Sequence, residues 1–147
     1  MKSQAHGSHL RKGRVSEAGR VYLLTMVTKN RRRVFADFAA ARVAVCCLHS
    51  DAVRKSGQIL AFVVMPDHVH WLLALGQKAS VSGAVRVFRA KVSLALGEKI
   101  WQKGFYDRGL RAEEDVAAVA RYIIANPLRA GLVDSVGDYP HWDAVWL

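Results

Sequence analysis

The sequence predicts one α+β domain, a ferredoxin-like antiparallel sheet with helices on one face. Three observations support this fold class. The chain of 147 residues has the length of a single domain, 52% of its residues are hydrophobic, and strand-like and helix-like segments alternate along it. We expect the domain to span residues 1–147, with a basic N-terminal arm at about residues 1–20.

The first two elements are a strand and a helix. The run VYLLTMVT, beginning at Val21, is rich in β-forming residues and predicts the strand. The alanine-rich segment from Asp37 to Lys55 predicts the helix, which is expected to end at Ser56 and Gly57. Its apolar stripe would include Val45, Leu48 and Ala52.

A hairpin and a second helix follow. The apolar runs from Gln58 to Met65 and from His68 to Leu75 are separated only by Pro66 and Asp67, which favours a tight turn between two strands. The segment from Ser80 to Glu98 carries apolar residues at helical spacing. These residues are Val81, Val85, Phe88, Val92 and Leu96.

The last third of the chain predicts a loop with a short strand, a helix and a tail of turns. The segment from Ile100 to Arg111 mixes aromatic residues with glycines, which indicates the loop and the strand. Acidic residues after Ala112 favour a helix start, and Pro127 is expected to end that helix.

The charge of the chain is strongly positive and unevenly distributed. The formal net charge is +10 at pH 7 and the sequence pI is about 10.1. Residues 1–33 hold nine basic residues and one acidic residue. This pattern favours a polyanionic partner, nucleic acid above all, although a basic arm that only aids solubility would look the same.

Several other classes of protein are disfavoured. The sequence has neither an apolar run of about 18 residues nor an apolar segment typical of a signal peptide, so we expect a cytoplasmic protein without a membrane partner. Cys46 and Cys47 are adjacent and match neither a metal-binding pair nor a disulfide framework. A phosphate-binding glycine loop is missing, so no nucleotide cofactor is expected.

Two histidines form the first candidate site. His68 and His70 lie two residues apart on a predicted strand, so their imidazoles share one face and could offer two nitrogens to one metal ion. Two polar residues on a solvated face remain the alternative.

Tyr122 and Asn126 form the second candidate site. They stand four residues apart on the last predicted helix, and a hydroxyl would then lie one turn from an amide oxygen. This pair suits a nucleophile beside a metal ligand. The alternatives are a tyrosine at the core boundary and an asparagine that ends a helix.

Two stretches resemble a known family. VMPDHVHWLLAL, from Val64 to Leu75, resembles the metal-binding motif of HUH endonucleases. WQKGFYDRGLR followed by RYIIANPLRAGLV resembles the C-terminal half of the REP-associated tyrosine transposases, relatives of the single-strand insertion-sequence transposases. The similarity extends from about Val21 to Trp146 and implies the HUH endonuclease fold.

The resemblance implies a site and a reaction. Tyr122 matches the family's nucleophile, and His68, His70 and Asn126 match the positions that hold Mg²⁺ or Mn²⁺. Zinc is less favoured, because no thiolate or fourth protein ligand is at hand. The implied activity is that of a metal-dependent single-stranded DNA endonuclease and strand transferase, which cleaves near a palindromic hairpin through a 5′-phosphotyrosine intermediate.

Other functions remain open on the same fold. One alternative is a non-catalytic nucleic-acid-binding module, and another is a hydrolase in which metal-bound water attacks. Tyr106 competes with Tyr122 for the nucleophile's role but lacks a partner four residues on. Asp67 could orient a ligand histidine from the turn. A monomer is expected rather than a dimer.

The expected DNA contacts divide into two groups. Six basic residues are predicted to follow phosphates: Arg31, Arg32, Arg33, Arg86, Arg89 and Lys91. Three aromatic residues are predicted to stack on unpaired bases: Trp101, Phe105 and Tyr106.

Overall fold

The computed structural model describes the backbone of residues 4–6 and the whole of residues 16–146. The strands are β1 (Gln4–His6), β2 (Val21–Val27), β3 (Gly57–Met65), β4 (His68–Leu75), β5 (Phe105–Gly109) and β6 (Trp142–Ala144). The helices are α1 (Phe38–Leu48), α2 (Asp51–Arg54), α3 (Val81–Leu96), α4 (Val116–Ile124) and α5 (Asn126–Arg129). Most of the predicted basic arm, residues 1–3 and 7–15, lies outside the described residues.

The strands form one antiparallel sheet in the order β1-β5-β2-β4-β3-β6. The predicted α+β class and the β3–β4 hairpin at Pro66 and Asp67 are confirmed. In the centre, β4 pairs with β2 on one side and with β3 on the other. Both edges of β4 are therefore hydrogen-bonded to neighbouring strands, which makes it a central strand of the sheet.

One face of the sheet packs against α1 and α3. The side chains of Val69 and Trp71 on β4 are fully buried there, together with Phe88 of α3. Helix α3 begins where Ser80 accepts a hydrogen bond from the backbone N–H of Gly83, and it ends at Gly97, which has a left-handed φ of 77°. The predicted boundaries of this helix are confirmed.

The other face of the sheet packs against α4. Val119, Ala120 and Ile123 of this helix are buried in a second core with Val63 of β3 and Leu72 of β4. The prediction that all helices lie on one face was therefore wrong. The apolar strand segments are equally compatible with one or two covered faces, so the sequence pattern could not separate the two arrangements.

Two predicted helices are divided. The first breaks after Leu48, because the Ser50 side chain accepts from the backbone N–H of Val53 and starts α2. As a consequence Val53 is buried and Ala52, placed on the predicted stripe, is exposed. The last helix ends at Ile124, and Pro127 lies at the start of the short helix α5 rather than after a helix.

Two short edge strands extend the sheet beyond the prediction. Strand β1 pairs with β5, although the structured chain was expected to begin near Val21. Strand β6, in a tail expected to form only turns, pairs with β3. The tail is also held by the Tyr139 hydroxyl, which donates to the carbonyl of Val64. Within the described residues, none of the helices is long and apolar enough to cross a bilayer.

Candidate active site

His68 and His70 lie side by side on β4, on the sheet face that α4 covers. Their ring centroids are 4.7 Å apart and the rings are nearly perpendicular, at 78°. The strand's alternation sends Val69 to the opposite core and leaves both imidazoles partly exposed. The two imidazole rings are thus neighbours on this face of the sheet.

Each histidine is oriented by a second polar side chain. The Nδ1 of His68 lies 2.7 Å from Asp67 Oδ1, and the Nδ1 of His70 lies 2.8 Å from Thr25 Oγ1. Because an ionised carboxylate only accepts, Nδ1 of His68 donates and its Nε2 keeps a free lone pair. Asp67 contacts a histidine as its sequence position suggested. Thr25 was missed, because the strand register that sets it opposite His70 joins residues 45 positions apart.

The site keeps both imidazoles neutral near pH 7. Burial lowers the pKa of His70 to about 3, with added repulsion from His68 and Arg129. Burial also lowers the pKa of His68, and this effect exceeds the opposing influence of Asp67. Hydrogen bonds from His68 and Arg31 outweigh burial and hold the pKa of Asp67 below its usual value. Neutral imidazole is the form that binds a metal ion.

The third predicted metal ligand is the amide oxygen of Asn126. Among the described residues, no group of three or more His, Cys, Asp or Glu side chains is arranged to hold a metal ion. Asn126 begins α5, which follows directly on the covering helix α4. Its Oδ1 accepts from Arg129 Nη2 at 2.7 Å and retains a second lone pair. Two imidazoles and one amide oxygen suit a hard octahedral cation that keeps open positions.

Tyr122 lies on α4 with 57% of its surface exposed. The buried stripe of α4, which includes Val119 and Ile123, fixes the helix on the sheet face of the histidines. The guanidinium of Arg129 stacks on the Tyr122 ring, 3.9 Å from its centroid. The structure thus joins Tyr122 and Asn126 through Arg129, a residue that the sequence analysis did not select.

The predicted phosphate contacts have different surroundings. Arg31 and Arg32 form ion pairs with Asp67 and Glu98, at 3.2 and 2.8 Å. Exposed Arg33 has no recorded carboxylate partner among residues 16–146. Three further basic residues lie on α3, where Arg86 is exposed, Lys91 is partly exposed and Arg89 is partly buried.

Arg89 and two of the predicted stacking residues have structural contacts. Arg89 donates to the carbonyls of Gln102 and Gly104, at 2.6 and 3.1 Å, so two of its nitrogens already bind the backbone. Phe105 is only 7% exposed and belongs to the core, which corrects its prediction as a base-stacking residue. Trp101 is partly buried, packs on Phe35, and donates to the carbonyl of Arg89.

The position of Tyr106 is compatible with its prediction as a base-stacking residue. It is paired with Thr25 across β5 and β2, and Thr25 is paired with His70 across β2 and β4. Paired residues point to the same side of a sheet, so Tyr106 faces the histidine side. It is partly exposed there and remains a candidate for stacking on a base.

Comparison with known proteins identifies the class. The family described as "Transposase IS200 like" matches residues 19–126, a region that includes both histidines, Tyr122 and Asn126. The chain therefore belongs to the IS200-like transposase family, whose members process DNA.

Within that family the chain is similar to the REP-associated tyrosine transposases, so the predicted resemblance is confirmed. The Escherichia coli (strain K12) REP-associated tyrosine transposase is 30% identical over 127 residues, which cover 83% of this chain and 74% of the relative. A solved structure of a REP-associated tyrosine transposase bound to a REP hairpin has a TM-score of 0.71 and 27% identity. That match covers 88% of this chain and 79% of the other.

Proposed function

We propose that this chain is a metal-dependent endonuclease and strand transferase for single-stranded DNA, which cleaves near a palindromic hairpin and forms a 5′-phosphotyrosine intermediate. The observation that carries the proposal is the pair of adjacent histidines whose Nδ1 atoms are already engaged, on the face covered by the tyrosine helix. The DNA-processing relatives and the net charge of +10 support DNA as the substrate.

The residues of the site have separate roles in this proposal. His68, His70 and Asn126 would hold Mg²⁺ or Mn²⁺, and Asp67 and Thr25 orient the two imidazoles. A divalent ion bound there would polarise the scissile phosphate. The Tyr122 hydroxyl attacks phosphorus, so the Tyr122 Oη–P bond forms as the P–O3′ bond breaks. One phosphodiester replaces another, and a free 3′-hydroxyl can reverse the reaction.

A denaturing gel tests the proposal. The probe is a DNA hairpin with randomised single-stranded flanks and a 3′ label, incubated with the protein and Mn²⁺ or with a chelator. We expect a labelled covalent adduct that requires Mn²⁺ and is lost in Tyr122→Phe. Sequencing of the bound strands then gives a defined substrate.

Tyr106→Phe is the matched control, because Tyr106 faces the same side of the sheet as the histidines. This variant should still form the adduct. An adduct that survives Tyr122→Phe and disappears in Tyr106→Phe would reassign the nucleophile. Salt-dependent binding without any adduct would instead support the non-catalytic binding module.

A further inference from the structure

Arg129 carries a positive charge beside the candidate nucleophile. Its guanidinium carbon is 3.9 Å from the Tyr122 ring centroid, and its Nη2 donates to Asn126. No carboxylate in the described part of the chain is recorded as an ion-pair partner of Arg129. In contrast, Arg121 on α4 pairs with Asp115, at 3.9 Å.

The contacts of Arg129 keep its charge close to the site. Stacking on the Tyr122 ring holds the guanidinium by a cation–π interaction, and the Asn126 hydrogen bond fixes one of its edges. The same charge reaches the histidine pair, since repulsion from Arg129 contributes to the lowered pKa of His70 after burial and His68. These contacts hold the guanidinium of Arg129 beside Tyr122 and Asn126.

The unused donors of Arg129 suit a phosphate group. A guanidinium has five N–H donors in a planar fork, and the recorded Asn126 bond uses one nitrogen. A nucleophile that attacks a phosphodiester pushes negative charge onto the non-bridging oxygens. Donors already held next to the nucleophile stabilise that charge without rearrangement.

We propose that Arg129 is a catalytic residue that binds a non-bridging oxygen of the scissile phosphate while Tyr122 attacks phosphorus. The Tyr122 Oη–P bond forms, the P–O3′ bond breaks, the tyrosine hydroxyl loses its proton and the 3′-oxygen gains one. Arg129 keeps its protons and neutralises the phosphoryl charge. This inference rests on the proposed function, and it concerns a residue beyond the region 19–126 that the family match covers.

The experiment compares two substrates under single-turnover conditions with saturating DNA and Mn²⁺. One is the hairpin recovered above, and the other carries a neutral methylphosphonate at the cleaved position. With the phosphodiester, Arg129→Gln should slow adduct formation about 10²–10³-fold, the usual effect of removing one donor to a developing oxyanion. With the methylphosphonate, the parent and Arg129→Gln should form the adduct at nearly the same rate, because this substrate lacks the negative charge that Arg129 neutralises.

Arg121→Gln is the matched control on the tyrosine helix and should change neither rate appreciably, since Arg121 pairs with Asp115. If Arg129→Gln slowed adduct formation equally with both substrates, the inference would be overturned, and Arg129 would be a residue that only positions Tyr122. An unchanged rate with the phosphodiester would also overturn it. If the parent forms no adduct on any hairpin, the proposed function itself fails; if only the Arg129 effect is missing, the proposed function stands.

Discussion

At the scale of single residues, the site depends on side chains that do not contact the reacting atoms. Asp67 and Thr25 each hold one Nδ1, and Arg31 in turn binds Asp67 Oδ2 at 3.2 Å. Arg31 does so from a left-handed backbone conformation, with a φ of 53°. Such a conformation costs a non-glycine residue roughly 1 kcal/mol or more, and it is found most often near functional sites.

Thr25→Val tests the role of the hydroxyl that contacts His70. Valine keeps the shape of threonine but removes the partner of Nδ1, so the imidazole loses its fixed orientation. We expect the Mn²⁺ concentration for half-maximal adduct formation to rise about 10- to 100-fold. Thr25→Ser, which retains the hydroxyl, should stay close to the parent. Equal metal requirements for the valine and serine variants would contradict this role.

How much of the candidate site the sequence predicts depends on how far apart its residues lie along the chain. His68, His70 and Asp67 are neighbours in the chain, so a strand and a turn suffice to bring them together. Thr25 depends on the pairing of β2 with β4, and no local pattern specifies that register. Arg129 lies one turn beyond Asn126 in α5, but the sequence predicts that Pro127 ends the helix, so it does not predict a helical position for Arg129.

At the scale of elements, the entry to α4 is fixed by charge. Arg108 on β5 binds Glu114 through two hydrogen bonds, at 2.8 and 3.1 Å, and both side chains are mostly buried. Asp115 then accepts from the backbone N–H of Ala118 and begins the helix. The acidic segment predicted to favour a helix start therefore has two functions, a cap and a tie to the sheet.

Glu114→Gln should show a pH-dependent loss of stability. The hydrogen bond from Arg108 lowers the pKa of Glu114 from 4.5 to about 2, so folding favours the ionised carboxylate. Its contribution is complete above pH 4.5 and is lost as the pH falls towards 2. We expect the free energy of unfolding of the variant to be about 1 kcal/mol lower than that of the parent at pH 7, because the Arg108–Glu114 pair is bidentate but partly screened by solvent.

Urea denaturation at pH 7 and pH 3 measures this difference. The difference in the free energy of unfolding between the parent and Glu114→Gln should be smaller at pH 3 than at pH 7. Glu113→Gln is the control, because Glu113 is 73% exposed in its pair with Arg111. Exposed pairs contribute little, so its effect should stay below about 0.5 kcal/mol at both pH values. A constant gap for Glu114→Gln would contradict the assigned pKa.

Element boundaries were less predictable than element types. The strands β2 to β4 and helix α3 follow from periodicity and from turn or capping residues. The break before α2 requires Ser50 to cap a new helix rather than continue the old one, and both choices are locally acceptable. Strand β6 forms because a sheet edge is available beside it, which a three-residue segment cannot reveal.

At the scale of the whole molecule, the net charge of +10 is only partly available to a partner. Several arginines in the described residues are used within the fold. Arg89 donates to backbone carbonyls, and Arg108 pairs with Glu114. The surface segment at Arg31 to Arg33 stays accessible, next to the turn that carries Asp67.

Combined replacement of Arg31, Arg32 and Arg33 by glutamine should weaken the salt dependence of DNA binding. Each lost phosphate contact on a single strand reduces the slope of log K against log[salt] by about 0.7, so the loss of all three contacts reduces it by at most about 2. Arg33 should account for the largest single share, because Arg31 and Arg32 already have carboxylate partners. Fluorescence anisotropy over a salt series measures the slope.

The control replaces exposed Arg54 and Lys55, in and after α2, and should leave the slope near that of the parent. Adduct formation should persist at saturating DNA and Mn²⁺ in the Arg32→Gln, Arg33→Gln double variant, which keeps the Arg31–Asp67 ion pair. An unchanged slope in the triple variant would show that this segment does not contact phosphate. Loss of the adduct at saturation would show that binding and chemistry are not separable here.

Substitutions at core positions and substitutions at the candidate site should have different effects in a cell. The α1 and α3 side contains fully buried residues such as Phe88, whose replacement by alanine typically costs about 3–5 kcal/mol and so lowers the amount of folded protein in a cell. The α4 side carries His68, His70 and exposed Tyr122, where substitutions should reduce turnover while leaving protein levels intact. A mutational scan that reads abundance and transposition separately should therefore separate His68, His70 and Tyr122 from the buried residues of both cores.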